Sequence, residues 1–225
     1  MANDYFRFKQ FTVRQSLCAM KVGTDGTLLG AWARGGRSIL DIGTGTGLIA
    51  LMMAQRFTEA HITAIDIDGK AVEQARQNVA ESPFAAMICI DKCDVNTMAV
   101  EGAFDSIVCN PPFFVDSLTC PDERRTMARH ADTLSYRQLM ECAHRLMADD
   151  GELSVIIPFD CRRRLEAEAA LAGLFLVRTC SVKTTPAKQP RRFLLAFKKH
   201  TVPLEQSELV IGADAYREMT KDFFL

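Results

Sequence analysis

Short apolar runs alternate with longer segments of mixed polarity along most of this chain. The short runs are rich in Ile, Leu, Val and Phe, a composition that predicts β-strands. The longer segments repeat apolar residues at helical spacing, which predicts helices with one buried face. Seven strands are predicted, at residues 38–42, 61–67, 85–90, 104–109, 152–157, 175–182 and 192–197. Helices are predicted between them at residues 48–57, 69–82, 135–151 and 160–173.

Strands that alternate with helices predict right-handed crossovers and a parallel sheet with helices on both faces. Only nine residues, 183–191, join the last two strands, too few for a helical crossover, so the last strand is expected to be antiparallel. The expected fold is therefore a doubly wound, mostly parallel α/β sheet of seven strands. We expect one domain, with a core at 38–200, an N-terminal extension or cap at 1–37 and a C-terminal tail at 201–225.

Three glycines lie between the first predicted strand and the first predicted helix. Gly43, Gly45 and Gly47 belong to the sequence Asp-Ile-Gly-Thr-Gly-Thr-Gly, which begins at Asp41. Glycine allows positive φ and lets backbone N–H groups approach a ligand at a helix N-terminus. Asp66 follows Gly47 by 19 residues, at the end of the second strand, where a carboxylate can accept hydrogen bonds from ribose hydroxyls. The pattern predicts a nucleotide-like ligand.

The glycine motif also indicates which kind of nucleotide-like ligand is bound. Leu48 stands where the dinucleotide fingerprint requires glycine, and the Asp41 carboxylate suits a cationic ligand better than a pyrophosphate. The motif resembles that of the class I S-adenosylmethionine-dependent methyltransferases, which implies their Rossmann-like fold and S-adenosylmethionine as cofactor. In that family's pattern Asp66 would bind the ribose, Ile67 would pack on the adenine and Asp94 would contact its amino group. The cofactor-binding residues that the resemblance implies are Asp41, Gly43, Thr44, Gly45, Gly47, Asp66, Ile67, Asp94, Val95 and Asn110.

The sequence Asn-Pro-Pro-Phe at residues 110–113 ends the fourth predicted strand, beside the glycine loop. The side-chain oxygen of Asn110 and the carbonyl of Pro111 could accept both hydrogens of a planar amine and direct its lone pair at a methyl group. Pro111 and Pro112 would hold these acceptors rigidly, and Phe113 would stack on a target base. The motif resembles that of methyltransferases that act on planar amino groups. It leaves adenine N6, guanine N2 and a protein glutamine amide open.

A longer resemblance narrows the substrate. The N-terminal stretch FRFKQFTVRQSLCAMKVGTDGTLLGAWA, the two motifs above and the C-terminal PRRFLLAF together resemble the bacterial tRNA1(Val) (adenine(37)-N6)-methyltransferases. This resemblance implies methylation of the adenosine next to the anticodon of a valine tRNA. By match to the same family, Lys21, Thr24 and Asp25 would close over the cofactor. Taken alone, the segment 21–36 fits either a capping helix or a ligand-facing loop.

The positive charge of the chain is concentrated in its C-terminal half. Residues 162–200 contain ten Arg or Lys and two Glu, although the net charge of the whole chain is −1. Such a region suits a polyanionic partner, and it is equally typical of a solvated face. With tRNA as the expected partner, the candidate RNA-binding residues are Arg124, Arg125, Lys183, Lys188, Arg191 and Arg192.

Composition limits the class and the compartment. No apolar stretch reaches the length of a membrane helix, and the N-terminus lacks a signal-peptide core, so a cytoplasmic location is expected. The eight cysteines are scattered without a C-x-x-C pair, which favours neither a metal site nor disulfides. We expect a monomer. Two alternatives stay open: another planar-amine methyltransferase, acting on rRNA guanine N2 or glutamine N5, and a non-catalytic RNA-binding module with a vestigial fold.

Overall fold

The computed structural model describes residues 4–18, 21–112 and 134–224. Near the N-terminus, the short strands β1 (Tyr5–Arg7) and β2 (Thr12–Arg14) pair as an antiparallel hairpin. Within the described ranges eight further strands form one sheet. They are β3 (Ser38–Ile42), β4 (His61–Asp66), β5 (Ile88–Lys92), β6 (Phe104–Cys109), β7 (Met147–Pro158), β8 (Phe175–Lys183), β9 (Arg192–Lys198) and β10 (Glu205–Val210). Their order across the sheet is β10-β8-β9-β7-β6-β3-β4-β5.

Helices cover both faces of this sheet. In the described residues they are, in chain order, α1 (Thr24–Trp32), α2 (Leu48–Arg56), α3 (Gly69–Ala80), α4 (Tyr136–Leu146), α5 (Arg162–Leu171) and α6 (Asp214–Thr220). Side chains of α1, α2 and α3 pack in one buried cluster, and those of α4 and α5 pack in another. Neighbouring residues of a strand divide between the two clusters, as Ile39 and Leu40 of β3 do, because successive side chains of a strand point to opposite faces. Both faces are therefore buried, which explains the continuous apolar runs of the strands.

The α/β fold class expected from the sequence is confirmed, and so is the reversal of the seventh expected strand. β9 pairs antiparallel with both of its neighbours, β7 and β8. The sheet contains one more strand than expected, because β10, in the segment expected to be a tail, pairs in parallel with β8. β10 lies at the edge of the sheet and is mostly exposed, so its sequence lacks the apolar run that marks a buried strand. The predicted helix at 135–151 ends earlier, at Leu146, because Met147 already pairs with Phe104.

The N-terminal segment packs against the C-terminal end of the chain. Phe8 and Phe11 stack with ring centroids 4.7 Å apart, both buried, and Phe8 also stacks on Phe224 at 6.0 Å. The backbone N–H of Lys9 donates to the carbonyl of Phe223 at 2.9 Å. The segment that was expected to be an extension or cap is therefore fastened to the body of the protein by apolar contacts and backbone hydrogen bonds.

A buried ion pair between β7 and β8 also contacts the end of α1. Arg178 of β8 donates from Nη2 to Oε1 of Glu152 of β7 at 2.6 Å, and both side chains are at most 10% exposed. The Arg178 guanidinium also lies 3.9 Å from the ring centroid of Trp32, at the end of α1. The charge is thus compensated by a carboxylate on one side and an aromatic face on the other.

Candidate active site

The carboxyl ends of β3, β4, β5 and β6 open into a cleft of about 680 Å³. The chain runs from β3 to β4 and β5 on one side and then returns to β6 on the other side of β3. Such a point, where the strand order reverses, is where open α/β sheets bind their ligands. Most of the residues singled out in the sequence line this cleft: Lys21, Thr24, Asp25, Gly43, Thr44, Gly45, Asp66, Ile67, Asp94, Val95, Asn110, Pro112 and Arg192.

The glycine loop forms the floor of the cleft between β3 and α2. Gly43, Gly45 and Gly47 have φ angles of 72°, 56° and 81°, a region that side chains with a Cβ rarely adopt. A Cβ at Gly43 or Gly45 would meet no atom within 4 Å, so the loop leaves its face open to a ligand. Gly47 caps α2 and does not line the cleft, and a Cβ there would lie 3.4 Å from Ala75.

Asp66 is held in a fixed orientation by backbone amides. Its Oδ2 accepts from the Gly45 N–H and its Oδ1 from the Asp68 N–H, both at 2.9 Å. The carboxylate is thereby tied to the glycine loop and still lines the cleft. Ile67, which follows it, presents a side chain that is 55% exposed. A carboxylate beside an exposed apolar side chain suits a ribose joined to an aromatic base.

Asp94 lies at the same end of the cleft, just after β5. Its Oδ1 accepts from the backbone N–H of Asn96 at 2.9 Å and from the Asn96 side-chain amide at 2.7 Å. Val95 beside it is buried in the cluster under α4 and α5. The structure therefore brings Asp66 and Asp94 to neighbouring strand ends, because β4 and β5 are adjacent and parallel.

Asp41 lies below the glycine loop, and it does not line the cleft. Its side chain is fully buried, and Oδ2 accepts from the Thr44 hydroxyl at 2.6 Å. Burial raises the pKa of Asp41 to about 7, the charge of Asp66 adds to the rise, and the Thr44 hydrogen bond opposes it. The family resemblance implied that Asp41 contacts the cofactor. Its position supports the loop from beneath.

Asn110 stands at the end of β6, beside the glycine loop. Cys109 of β6 pairs with Ile42 of β3, so Asn110 lies next to Gly43. The Oδ1 atom of Asn110 is buried and has no hydrogen-bond partner among the residues that the structure describes. A buried acceptor without a donor costs free energy, and such groups in native proteins need an explanation. An N–H group of a bound substrate would supply the missing donor.

The two prolines after Asn110 differ in their exposure to solvent. Pro112 is exposed and lines the cleft, whereas Pro111 is buried beside it. Phe113 lies outside the described residues, as do the RNA-binding candidates Arg124 and Arg125.

The start of α1 forms a further wall of the cleft. Lys21, Thr24 and Asp25 all line it. The sequence left two alternatives for the segment 21–36, a capping helix and a ligand-facing loop. The segment forms helix α1, and the start of that helix and the residues before it face the ligand cleft. Asp25 accepts from Nε of Arg192 at 2.8 Å, and Arg192 also lines the cleft. This pair joins residues that are 167 positions apart in sequence. Arg192, expected at the RNA surface, therefore lies in the cleft wall as well.

The other basic candidates lie on the β8–β9 hairpin. Pro158 pairs with Arg192, so the start of β9 lies at the same edge of the sheet as the carboxyl end of β7. Lys183 contacts Glu208 at 2.6 Å, which offsets part of its charge. Lys188 and Arg191 are exposed between the two strands. These hairpin residues therefore stand at the edge of the sheet where the cleft opens.

Two cleft residues and one buried residue that supports the glycine loop were missed from the sequence. Leu134 and Gln138, at the start of α4, line the cleft opposite α1. Asn78 of α3 is buried, and its amide bonds the N–H and carbonyl of Arg14 and the carbonyl of Thr46, each at 2.8 Å. A polar residue on the apolar face of a predicted helix was the available signal for Asn78.

Two of the cysteines that line the cleft, Cys18 and Cys109, are unsuited to nucleophilic catalysis. Burial raises the pKa of Cys18 to about 11, and the charges of Asp66 and Asp68 add to this rise. Burial also raises the pKa of Cys109 well above its usual range. Both thiols therefore stay protonated near neutral pH, when only a thiolate would be reactive. Within the described ranges, no group of His, Cys, Asp and Glu side chains could hold a metal ion.

No helix among residues 4–18, 21–112 and 134–224 is long and apolar enough to cross a bilayer.

The chain as a whole is similar to known methyltransferases. A family described as "Methyltransferase small domain" matches residues 26–185. A Bacteroides thetaiotaomicron protein named tRNA1(Val) (adenine(37)-N6)-methyltransferase is 44% identical over 234 residues, covering 100% of this chain and 99% of its own. A Phocaeicola vulgatus protein of the same name is 48% identical over 233 residues, with 100% and 99% covered. A crystal structure described as a predicted O-methyltransferase from Agrobacterium tumefaciens matches with a TM-score of 0.68 and 20% identity, covering 88% of this chain and 94% of that one.

Proposed function

We propose, since this chain belongs to the family of tRNA1(Val) (adenine(37)-N6)-methyltransferases, that it methylates the exocyclic N6 amine of adenosine 37 in tRNA1(Val). The methyl donor in this proposal is S-adenosylmethionine, and the reaction takes place in the cytoplasm on a monomeric enzyme. The observation that carries the proposal is the buried acceptor Oδ1 of Asn110 at the wall of the cleft, for which the described residues supply no donor.

The residues of the cleft fit S-adenosylmethionine. Gly43 and Gly45 leave open space above the loop, where the methionine part would lie against the backbone. Asp66, held by two amides, would accept hydrogen bonds from the ribose hydroxyls, and Ile67 would cover the adenine. Asp94 would accept from the adenine amino group. When bound, the cofactor supplies an electrophilic methyl group on a positively charged sulfur.

The chain's part in the chemistry is to bind and orient the target amine. The lone pair of an exocyclic amine is delocalised into its ring, so the free amine is a poor nucleophile. Asn110 Oδ1 and the Pro111 carbonyl would accept its two hydrogens, which favours a pyramidal nitrogen with its lone pair directed into the cleft. The prolines restrict the backbone that carries these acceptors, so little reorganisation accompanies the reaction. The methylated nitrogen then loses a proton that is acidic enough to leave to water, so no general base is required.

The basic residues beside the cleft support an RNA substrate. Lys188 and Arg191 are exposed at the carboxyl edge of the sheet, where they can contact phosphates. The target base of a stacked loop must leave its neighbours to reach Asn110, as in other enzymes that modify bases. Recognition of a glutamine amide on a protein would not require this positive surface.

The experiment that tests the proposal identifies the product nucleoside. The enzyme is incubated with labelled S-adenosylmethionine and bulk tRNA from a strain that lacks the corresponding gene. We expect label in N6-methyladenosine at position 37 of tRNA1(Val), identified by nuclease digestion and mass spectrometry. Label in N2-methylguanosine, or in protein alone, would show that the amine has been assigned to the wrong substrate. No binding of the cofactor in calorimetry would favour a vestigial RNA-binding module.

A further inference from the structure

An exposed aromatic ring lies at the carboxyl edge of the sheet, outside the cleft. Phe159 directly follows β7 and is 42% exposed. Its ring stacks on that of Phe193, with centroids 5.7 Å apart and planes inclined by 27°. Phe193 is only 7% exposed and belongs to the buried cluster under α4 and α5. The outer ring therefore rests on a rigid inner ring.

A cation and a backbone hydrogen bond hold this pair of rings. The guanidinium carbon of Arg162 lies 4.5 Å from the centroid of Phe193, within the range of a cation–π contact. Glu166 fixes the guanidinium by accepting from its Nε at 2.7 Å. The N–H of Phe159 donates to the carbonyl of Arg191 at 3.1 Å, which joins the ring to the basic hairpin.

The charge around Phe159 is predominantly positive. Arg162 and Arg163 follow it in sequence, and the exposed Arg191 lies across the hydrogen bond to its amide. Of the acids that follow within ten residues in sequence, Asp160 is exposed, and Glu166 is already paired with Arg162. An exposed aromatic face among cations suits a base of a single-stranded nucleic acid, whose phosphates the cations attract.

The strand register places Pro158, the residue before Phe159, near the proposed catalytic residue Asn110. Val155 of β7 pairs with Cys109 of β6, so Ile156 lies beside Asn110 and Pro158 stands two residues further on. With a rise of about 3.3 Å per residue and about 4.8 Å between strands, the Cα of Pro158 lies roughly 8 Å from that of Asn110. Neighbouring nucleotides of a single strand can span this separation when their bases are unstacked.

A single exposed phenylalanine is common on protein surfaces and needs no explanation by itself. Phe175 shows the ordinary case. It is 44% exposed, at the start of β8, and therefore lies at the opposite edge of the sheet from the cleft. Phe159 differs in its position at the substrate edge, its stacking on Phe193 and the cation that holds the inner ring.

We propose that Phe159 is a stacking site for a base of the RNA loop that flanks the target nucleotide, with Phe193 and Arg162 as its support. The site rests on the proposed function, because its ligand is the single-stranded loop that presents the adenosine. Stacking does not distinguish bases strongly, since every base has an aromatic face. The site therefore positions the loop and does not identify its sequence.

The first test compares Phe159→Ala with the matched variant Phe175→Ala. Binding of an anticodon stem-loop RNA is measured by fluorescence anisotropy in the presence of S-adenosylhomocysteine. We expect Phe159→Ala to raise the dissociation constant for RNA about tenfold, and Phe159→Trp to restore it. Phe175→Ala should bind RNA as the wild type does. Affinity for S-adenosylhomocysteine alone should be the same in all four proteins, which shows that the cleft is intact.

The second test detects stacking directly. RNA is added to Phe159→Trp and to Phe175→Trp, and the fluorescence of the introduced tryptophan is compared with that of the wild type, which has Trp32 alone. A base stacked on residue 159 should quench the fluorescence of Phe159→Trp and leave that of Phe175→Trp unchanged. Unchanged RNA affinity in Phe159→Ala, or equal quenching in both tryptophan variants, would overturn the stacking site. If the stacking site is overturned but the wild type and the Phe159 variants still methylate tRNA, the proposed function stands. If the wild type methylates no tRNA, the proposed function itself fails.

Discussion

Removal of the Asp66 carboxylate is the sharpest test of how the cleft binds its cofactor. In the structure each oxygen of Asp66 accepts one backbone N–H at 2.9 Å, from Gly45 and from Asp68. These bonds orient the carboxylate and leave further lone pairs for a ligand in the cleft. Asp66→Ala removes all of these acceptors. Asp66→Asn keeps one carbonyl oxygen and turns an NH₂ group towards one of the two amides, so that a donor faces a donor.

The expected magnitude follows from the charge of the acceptor. A hydrogen bond to a charged group contributes about 1.5–3 kcal/mol. Loss of one such bond to a ribose hydroxyl corresponds to roughly a 10- to 150-fold rise in the dissociation constant. We expect Asp66→Ala to lie in the upper part of this range, because it loses the ligand bonds and also releases the glycine loop. Asp66→Asn should lie in the lower part.

The assay is titration calorimetry with S-adenosylhomocysteine, with circular dichroism to show that each variant is folded. Asp91→Asn is the matched control, since Asp91 pairs with Ile65 across β4 and β5 and its side chain makes exposed contacts, with Arg76 at 3.8 Å and with the Cys89 thiol at 3.5 Å. Exposed ion pairs contribute little, so this variant should keep the wild-type affinity. A folded Asp66→Ala protein with the wild-type dissociation constant would refute the assignment of Asp66 to the ribose.

Three further variants test separate parts of the structure. Asn110→Ala should lower the single-turnover rate on tRNA by about 10²–10³, as loss of one preorganised polar contact does elsewhere, while the affinity for S-adenosylhomocysteine is unchanged; full turnover would contradict the amine-binding role. Glu152→Ala leaves Arg178 buried without its carboxylate, so the free energy of unfolding in urea should fall by about 3–5 kcal/mol. A fall below about 1 kcal/mol would mean that the pair is weak. Burial raises the pKa of Asp41 to about 7, so between about pH 4 and 7 the native state binds more protons than the unfolded chain. This contribution lowers stability as pH rises through that window, and Asp41→Asn should abolish it, so parallel melting-temperature profiles from pH 5 to 8 would argue against the raised pKa.

The sequence predicted the buried sheet well because its strands are apolar on both faces. The reversal of β9 followed from the nine residues that join it to β8, a length that only a hairpin connection can use. β10 and the β1–β2 hairpin were missed for the opposite reason. Their residues are largely exposed, and their pairing depends on partners elsewhere in the chain, so no local apolar pattern marks them.

In the candidate site, too, features that follow from local sequence were predictable, and features that depend on contacts between distant residues were not. Strand order brought Asp66, Asp94 and Asn110 to one edge, and this was predictable because parallel strands share their carboxyl ends. The strand that carries Asp41 ends one residue later, at Ile42, and the side chain of Asp41 is buried below the glycine loop. Arg192 reaches Asp25 across 167 positions, a contact that no spacing rule could predict.

The N-terminal segment, which was expected to be an extension or cap, helps to position the walls of the candidate site. One side-chain amide, that of Asn78, bonds Arg14 of β2 and Thr46 of the glycine loop, so these two segments take their separation from the same residue of α3. Gln15 continues the link, because its Oε1 accepts from the N–H of Val22, in the segment that lines the cleft opposite α4. A buried amide with all its bonds satisfied is costly to disturb. The glycine loop and the wall that precedes α1 are therefore positioned together, through one helix, before any ligand binds.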